Sequence, residues 1–221
     1  MEVVLFDLDG LMVDSEPLAE WSWNQVLARY GCRMDSATFR EVLGLRVVDS
    51  ARIICRRFRL PLSPAEAAAE RDRVFLEEAP RRLRARAGLY PLLEELAARG
   101  LPLGVATSAH RRYATLALRT LGVEGYFQAV ATGDEVERGK PAPDVYLLAA
   151  SRLGVDPERC LALEDSLLGV AAAQAAGIPC VAVPNPRIPA TEFSAARWVF
   201  ASLEEVHDAL DDLLAQGPET L

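Results

Sequence analysis

At 221 residues the chain is long enough for one sizeable core, or for a core with a smaller insert. With 51% hydrophobic and 25% charged residues it reads as an ordinary globular protein, and no apolar run approaches the ~20 residues of a membrane helix. The formal net charge of −8 argues against a general nucleic-acid surface, although an acidic protein can still bind a phosphate where the local field is positive.

The opening Met1-Glu2-Val3-Val4-Leu5-Phe6-Asp7 has neither the basic region nor the apolar length of a signal peptide, and Val3–Phe6 reads as a strand that begins at once. Helical patterns follow near Pro17–Tyr30, Ser36–Leu43, Val47–Phe58 and Pro64–Arg86 with no convincing strand among them. Ser63-Pro64-Ala65-Glu66 has capping-box spacing with proline at the first helical position. The basic run Arg81-Arg82-Leu83-Arg84-Ala85-Arg86 reads as a solvated helix end rather than an anion site. Pro91–Arg99 reads as a helix that returns to the core. Apolar runs at Leu103–Thr107, Ala129–Ala131, Cys160–Glu164, Pro179–Val183 and Trp198–Phe200 then alternate with helical patterns at Arg111–Leu121, Pro143–Leu153, Ser166–Ala176 and Leu203–Leu214. The expected fold is α/β: a Rossmann-like parallel sheet core from residues 1–14 and 88–221, with residues 15–87 inserted after the first strand as a helical cap.

The four cysteines, Cys32, Cys55, Cys160 and Cys180, have no metal-finger or CxxC spacing, and a reducing cytoplasm is the simplest reading. Of 24 lysines and arginines only Lys140 is a lysine. Arginine serves wherever a plain positive charge suffices, so a solitary lysine suggests work for a compact point charge.

The first strand ends in Asp7-Leu8-Asp9-Gly10. Parallel sheets place ligand sites beyond the carboxyl ends of their strands. Two acids two residues apart on extended backbone can address one region, and Gly10 lets the chain turn away. Repulsion between them is relieved by a divalent cation, and a pair of acids can divide the work of nucleophile and proton donor. A calcium loop is excluded by the glycine's place in the motif and by Leu18 where a glutamate would be needed. Three further strand ends carry Thr107-Ser108, the proline-stiffened Gly139-Lys140-Pro141-Ala142-Pro143 and Glu164-Asp165-Ser166. Taken singly, Thr107 or Ser108 can cap the next helix, and Glu164 and Asp165 can sit at a helix N-terminus for its dipole. Acids, hydroxyls, a unique lysine and more acids at four ends of one sheet are hard to assign to capping.

These four segments resemble, in order, the four motifs of the haloacid dehalogenase-like hydrolase superfamily. The likeness spans nearly the whole chain, and it is closest to the subgroup of β-phosphoglucomutases, phosphoglycolate phosphatases and sugar-phosphate phosphatases. It implies Asp7 as nucleophile forming an aspartyl phosphate and Asp9 as the acid and base. It implies Mg²⁺ held by the Asp7 side chain, the Asp9 backbone carbonyl and Asp165, with Glu164 assisting. Thr107, Ser108 and Lys140 would bind the phosphoryl group, and the insert would close as a cap.

Within that resemblance Asp9 argues against dehalogenation, and a cap without lysine argues against phosphonate cleavage. The mutases' cap histidine falls at Ala19 and their cap arginine at Val47, with Arg46 beside it, so a phosphatase is expected over a mutase. A binding protein that keeps the fold is the non-enzymatic alternative. Gly44-Leu45-Arg46 resembles the sugar-phosphate phosphatases, and Arg46 is the candidate for the substrate's distal end. Trp21 and Trp23, two apart on one helix, cannot both face the same way. His110 is a candidate for the cavity mouth, and His207 is remote from the chemistry. The expected partner is a small phosphorylated metabolite such as a hexose phosphate, phosphoglycolate, glycerol phosphate or nucleoside monophosphate. Nucleic acid and membrane are not expected, and a monomer is the default.

Overall fold

A computed structural model describes residues 1–215. Its centre is a six-stranded sheet of β1 (Val3–Phe6), β2 (Leu103–Ala106), β3 (Ala129–Ala131), β4 (Cys160–Glu164), β5 (Cys180–Ala182) and β6 (Trp198–Val199). Every pairing is parallel and the order is β3-β2-β1-β4-β5-β6. The order reverses direction between β1 and β4, whose adjacent carboxyl ends therefore open a crevice. All four β1 residues are buried, as a strand covered on both faces requires. Val4 and Phe6 pack into one core layer with Val105, Leu163 and Val181, and Val3 and Leu5 pack into the other with Ala162 and Tyr146.

Between β1 and β2 lie α1 (Glu16–Ala28), α2 (Ser36–Val42), α3 (Val47–Phe58) and α4 (Pro64–Arg82), then α5 (Leu89–Ala98). The first four hold a separate apolar cluster that includes Trp23, Leu27, Phe39 and Ile54. Their two connections to the sheet run side by side: Asp14 N–H donates to the Arg84 carbonyl at 2.8 Å, and Arg86 N–H to that of Met12 at 2.9 Å. The remaining helices are α6 (Arg111–Leu121), α7 (Asp144–Leu153), α8 (Leu167–Ala175), α9 (Leu203–Asp208) and α10 (Leu210–Ala215). Among the described residues no helix is long and apolar enough to cross a membrane.

The Ser63–Glu66 capping box forms as expected, with Glu66 N–H donating to Ser63 Oγ and Ser63 N–H to Glu66 Oε2. Three of the departures from the expected helices have a clear local cause. α4 ends at Arg82 rather than Arg86, because the chain goes extended at Leu83 and Ala85 bridges Val13. α5 begins at Leu89, with Pro91 in the first turn, where no N–H is required of it. The expected Leu203–Leu214 helix divides at Ala209, and Asp211 and Asp212 give α10 an acidic first turn that suits a new helix start.

Candidate active site

At the carboxyl end of β1, Asp7 is nearly buried and its Oδ1 accepts from Lys140 Nζ at 2.6 Å. The same ammonium donates to Glu164 Oε1 at 2.5 Å and lies 5.0 Å from the Tyr146 ring centroid. Lys140 arrives on the loop after β3, where the Lys140–Pro141 bond is cis. Glu164, the last residue of β4, is wholly buried and also accepts from Tyr146 OH at 2.6 Å. Asp165 follows it, and its Oδ2 accepts from Asn185 at 2.9 Å. Two glycines make room for these acids. A Cβ on Gly10, whose φ is +83°, would lie 1.9 Å from Asp165 Oδ2. A Cβ on Gly169 would lie 1.9 Å from the Glu164 carboxyl carbon.

One carboxylate oxygen from each of Asp7, Glu164 and Asp165 lies within 4.8 Å of the others, and all three side chains are buried. Three carboxyl groups share one ammonium, so ionising all of them calls for further positive charge, and the hard oxygen donors suit a divalent cation. Burial pushes Asp7 up to about 7, with Lys140 opposing and Glu164 reinforcing that rise. Burial, Asp7 and Glu164 hold Asp165 well above the ordinary carboxylate range. Burial alone would lower Lys140, but Asp7 and Glu164 outweigh it and the ammonium stays charged.

Asp9 lines the same cavity but takes its hydrogen bonds from outside this cluster. Its Oδ1 accepts from Ser15 Oγ at 2.5 Å and from Tyr113 OH at 2.6 Å. Thr107 is buried beside the acids, and its Oγ1 accepts from Ala109 N–H at 3.0 Å. The cap of α6 is His110, whose Nδ1 accepts from Tyr113 N–H, so neither Thr107 nor Ser108 serves as that cap. Ser108 Oγ instead donates to the Gly44 carbonyl at 2.8 Å and ties the core to the helical insert.

Above the acids lies a cavity of about 110 Å³ with walls from both parts of the molecule. Asp7, Asp9, Thr107, Lys140 and Asp165 form its floor, and Ala19, Trp23, Phe39, Val47, Arg71 and Phe75 its roof. Trp23 is buried in the insert and lines the cavity, while Trp21 faces elsewhere, with Arg82 over its ring. His110 lies at the cavity wall, its Nε2 3.0 Å from Asp72. Arg46 is not on that wall. As the residue before α3, with ψ 146°, it points along the seam: Nε donates to Asp49 at 2.6 Å and an Nη to the Glu137 carbonyl at 3.1 Å.

Sequence reasoning missed Tyr113, Phe75 and Arg71. Arg71 gives one N–H to Asp72 at 3.0 Å and lies 4.0 Å over the Phe75 ring, while its Nε is buried without an acceptor. In the sequence it is one arginine among many. Asn185, also missed, bridges Asp165 to Glu16 from a loop with no motif.

Residues 4–183 match the family model described as haloacid dehalogenase-like hydrolase. A phosphorylated carbohydrates phosphatase of Thermotoga maritima is 35% identical over 80% of this chain and 82% of that protein. Fructose-1-phosphate phosphatase YqaB of Escherichia coli is 33% identical over 81% of this chain and 95% of its own. The crystal structure of CbbY from Rhodobacter sphaeroides in complex with phosphate superposes with a TM-score of 0.83 at 31% identity, covering 93% of this chain and 96% of that one.

Proposed function

The chain belongs to the haloacid dehalogenase-like hydrolases, and from that membership we propose that it is a Mg²⁺-dependent phosphatase of small phosphomonoesters, of the sugar-phosphate or phosphoglycolate type. The observation that carries this reading is the buried set Asp7, Lys140, Glu164 and Asp165 at the sheet's crevice, beneath a cavity roofed by the insert.

Asp7, held by Lys140, is the nucleophile. Its free oxygen attacks phosphorus, the ester P–O bond breaks, and the leaving oxygen takes the departing electron pair and a proton from Asp9. Water then attacks the aspartyl phosphate, gives its proton to Asp9 and frees phosphate and Asp7. Thr107 and Lys140 hold the phosphoryl oxygens. Ser108, whose hydroxyl is already donated to Gly44, contributes through its backbone. Asp7, the Asp9 carbonyl and Asp165 would hold Mg²⁺, with Glu164 beside them. The ion would supply the positive field that this charge-rich transition state requires. Phosphoryl transfer depends on positioning and neutralised oxygens, which this rigid, water-excluding arrangement favours. The insert, residues 15–87, would move as a cap about the paired linkers near Met12–Asp14 and Arg84–Arg86.

Ala19 presents only a methyl group at the cavity wall, which supports hydrolysis over a mutase that must shuttle protons there. Four free cysteines fit a reducing cytoplasm, and we take the enzyme to act there as a monomer on a small phosphorylated metabolite. The test is phosphate release from a panel of esters with and without Mg²⁺, beside Asp7→Asn. Release should need both the metal and Asp7. Conversion of a hexose 1-phosphate to its 6-phosphate without release would establish the mutase instead.

A further inference from the structure

The contacts of Asp9 form a path to the cap. Its Oδ1 accepts from two hydroxyls, one from the neighbouring turn (Ser15) and one from α6 (Tyr113), 104 residues along the chain. Tyr113 is buried, and its ring meets that of Phe75 edge-on, with centroids 4.9 Å apart at 89°. Phe75 belongs to α4 of the cap, and the Arg71 guanidinium covers its ring at 4.0 Å. One residue therefore touches the cap with its ring and the acid–base carboxyl with its hydroxyl.

A carboxylic acid delivers a proton only from the oxygen that faces the acceptor. Two donors converging on Oδ1 engage that oxygen, so the proton of a protonated Asp9 resides on Oδ2. A phenol stays protonated through the neutral range and so donates whether Asp9 is ionised or not. An edge-to-face ring pair fixes the angle of the phenol that carries the donor. We propose that Tyr113 is a positioning residue for Asp9, and that Phe75 ties this positioning to the seated cap. The hydroxyl pins Oδ1 and aims Oδ2 at the leaving oxygen. In the first step the proton passes from Oδ2 to that oxygen as the P–O bond breaks, and in the second the attacking water returns a proton to Oδ2.

The inference rests on the phosphatase reading and on Asp9 as its acid. A buried tyrosine hydroxyl needs a partner in any case, so the test must separate proton delivery from packing. Tyr113→Phe keeps the ring and removes the donor. The parameter kcat/KM covers events up to departure of the leaving group. An alkyl phosphate needs a proton to depart, whereas p-nitrophenolate leaves unaided. Tyr113→Phe should lower kcat/KM for the best alkyl phosphate by about 10-fold or more, and for p-nitrophenyl phosphate by no more than about 3-fold. Phe75→Leu, which leaves the hydroxyl in place, should show the same split more weakly and keeps the idea testable if Tyr113→Phe misfolds. Equal losses on both esters would assign Tyr113 to packing and overturn the proposal, as would no loss, or a gain, on the alkyl ester. Wild-type protein inactive on both esters would sink the phosphatase reading itself, whereas active wild type without the split sinks only this inference.

Discussion

Lys140 touches Asp7 and Glu164 at once, from a site with almost no solvent. Lys140→Met keeps the length and removes the charge. It should lower kcat/KM by about 10²–10³-fold, the scale of losing one preorganised electrostatic contact. It should also destabilise the metal-free protein by up to about 3–5 kcal/mol, because buried carboxylates lose their partner. Phosphate release and urea unfolding measure the two effects. The carboxylates themselves make a prediction with a definite sign. Asp7 is raised to about 7 and Asp165 is raised well above its ordinary value, both mainly by burial, so at pH 6 Asp7 holds a proton in the metal-free state. Ligation needs it ionised. Mg²⁺ binding should therefore release protons at pH 6 and tighten as pH rises through about 7. Calorimetry in two buffers of different ionisation enthalpy reads the release, and an affinity independent of pH would contradict it. At this scale the sequence disclosed the acids and the lysine, because they cluster at strand ends. It hid Tyr113, which reads as one more core position of an amphipathic helix until Phe75 and Asp9 are seen around it.

The contact between α8 and β4 depends on a residue with no side chain. Gly169 packs its backbone against Glu164, and Gly169→Ala would place a methyl group inside that carboxyl. The variant should lose about 1–3 kcal/mol of stability, and more activity than that loss of folded protein explains, because Glu164 must move. Thermal unfolding beside phosphate release checks both. Arg46 lies off the cavity wall although its sequence neighbours Leu45 and Val47 line it. Gly44 lies over the site, with its carbonyl on Ser108, but two residues later the extended backbone sends the arginine side chain along the seam to Glu137. Arg46→Ala should alter kcat/KM for all esters by a similar factor and leave their ranking unchanged. A changed ranking would restore it as a contact to the substrate's distal end. The ends of α4 and α5 were illegible for a related reason. They are set by the pairing of Ala85 with Val13, far away in sequence, and by a proline that one helical turn tolerates.

Across the whole molecule, the strands were legible because short apolar runs stand out between helical patterns, most of them buried on both faces, although at the sheet's edge Val199 of β6 is exposed. Their order was not, since pairing depends on contacts between distant segments. One surface network holds the β3 end of that sheet. Glu135 joins Thr132, Arg111 and Arg152, and its carboxyl lies at about 2, with hydrogen bonds from Arg152 the largest cause. A depressed carboxylate stabilises above its unfolded value of 4.5, and that contribution is lost as pH falls toward about 2. Glu135→Gln should lower Tm by no more than about 2–4 °C at pH 7, given its solvent exposure, with the difference from wild type shrinking below pH 4.5. The central claim is that phosphate passes through Asp7, and trapping is the most direct measurement. Asp9→Asn, which lacks the base for the second step, should accumulate one phosphoryl group on Asp7 when given p-nitrophenyl phosphate and Mg²⁺. Peptide mass spectrometry would locate it there and find none in Asp7→Asn. Phosphate release without any phosphorylated protein, or with the Asp7→Asn variant fully active, would contradict the account.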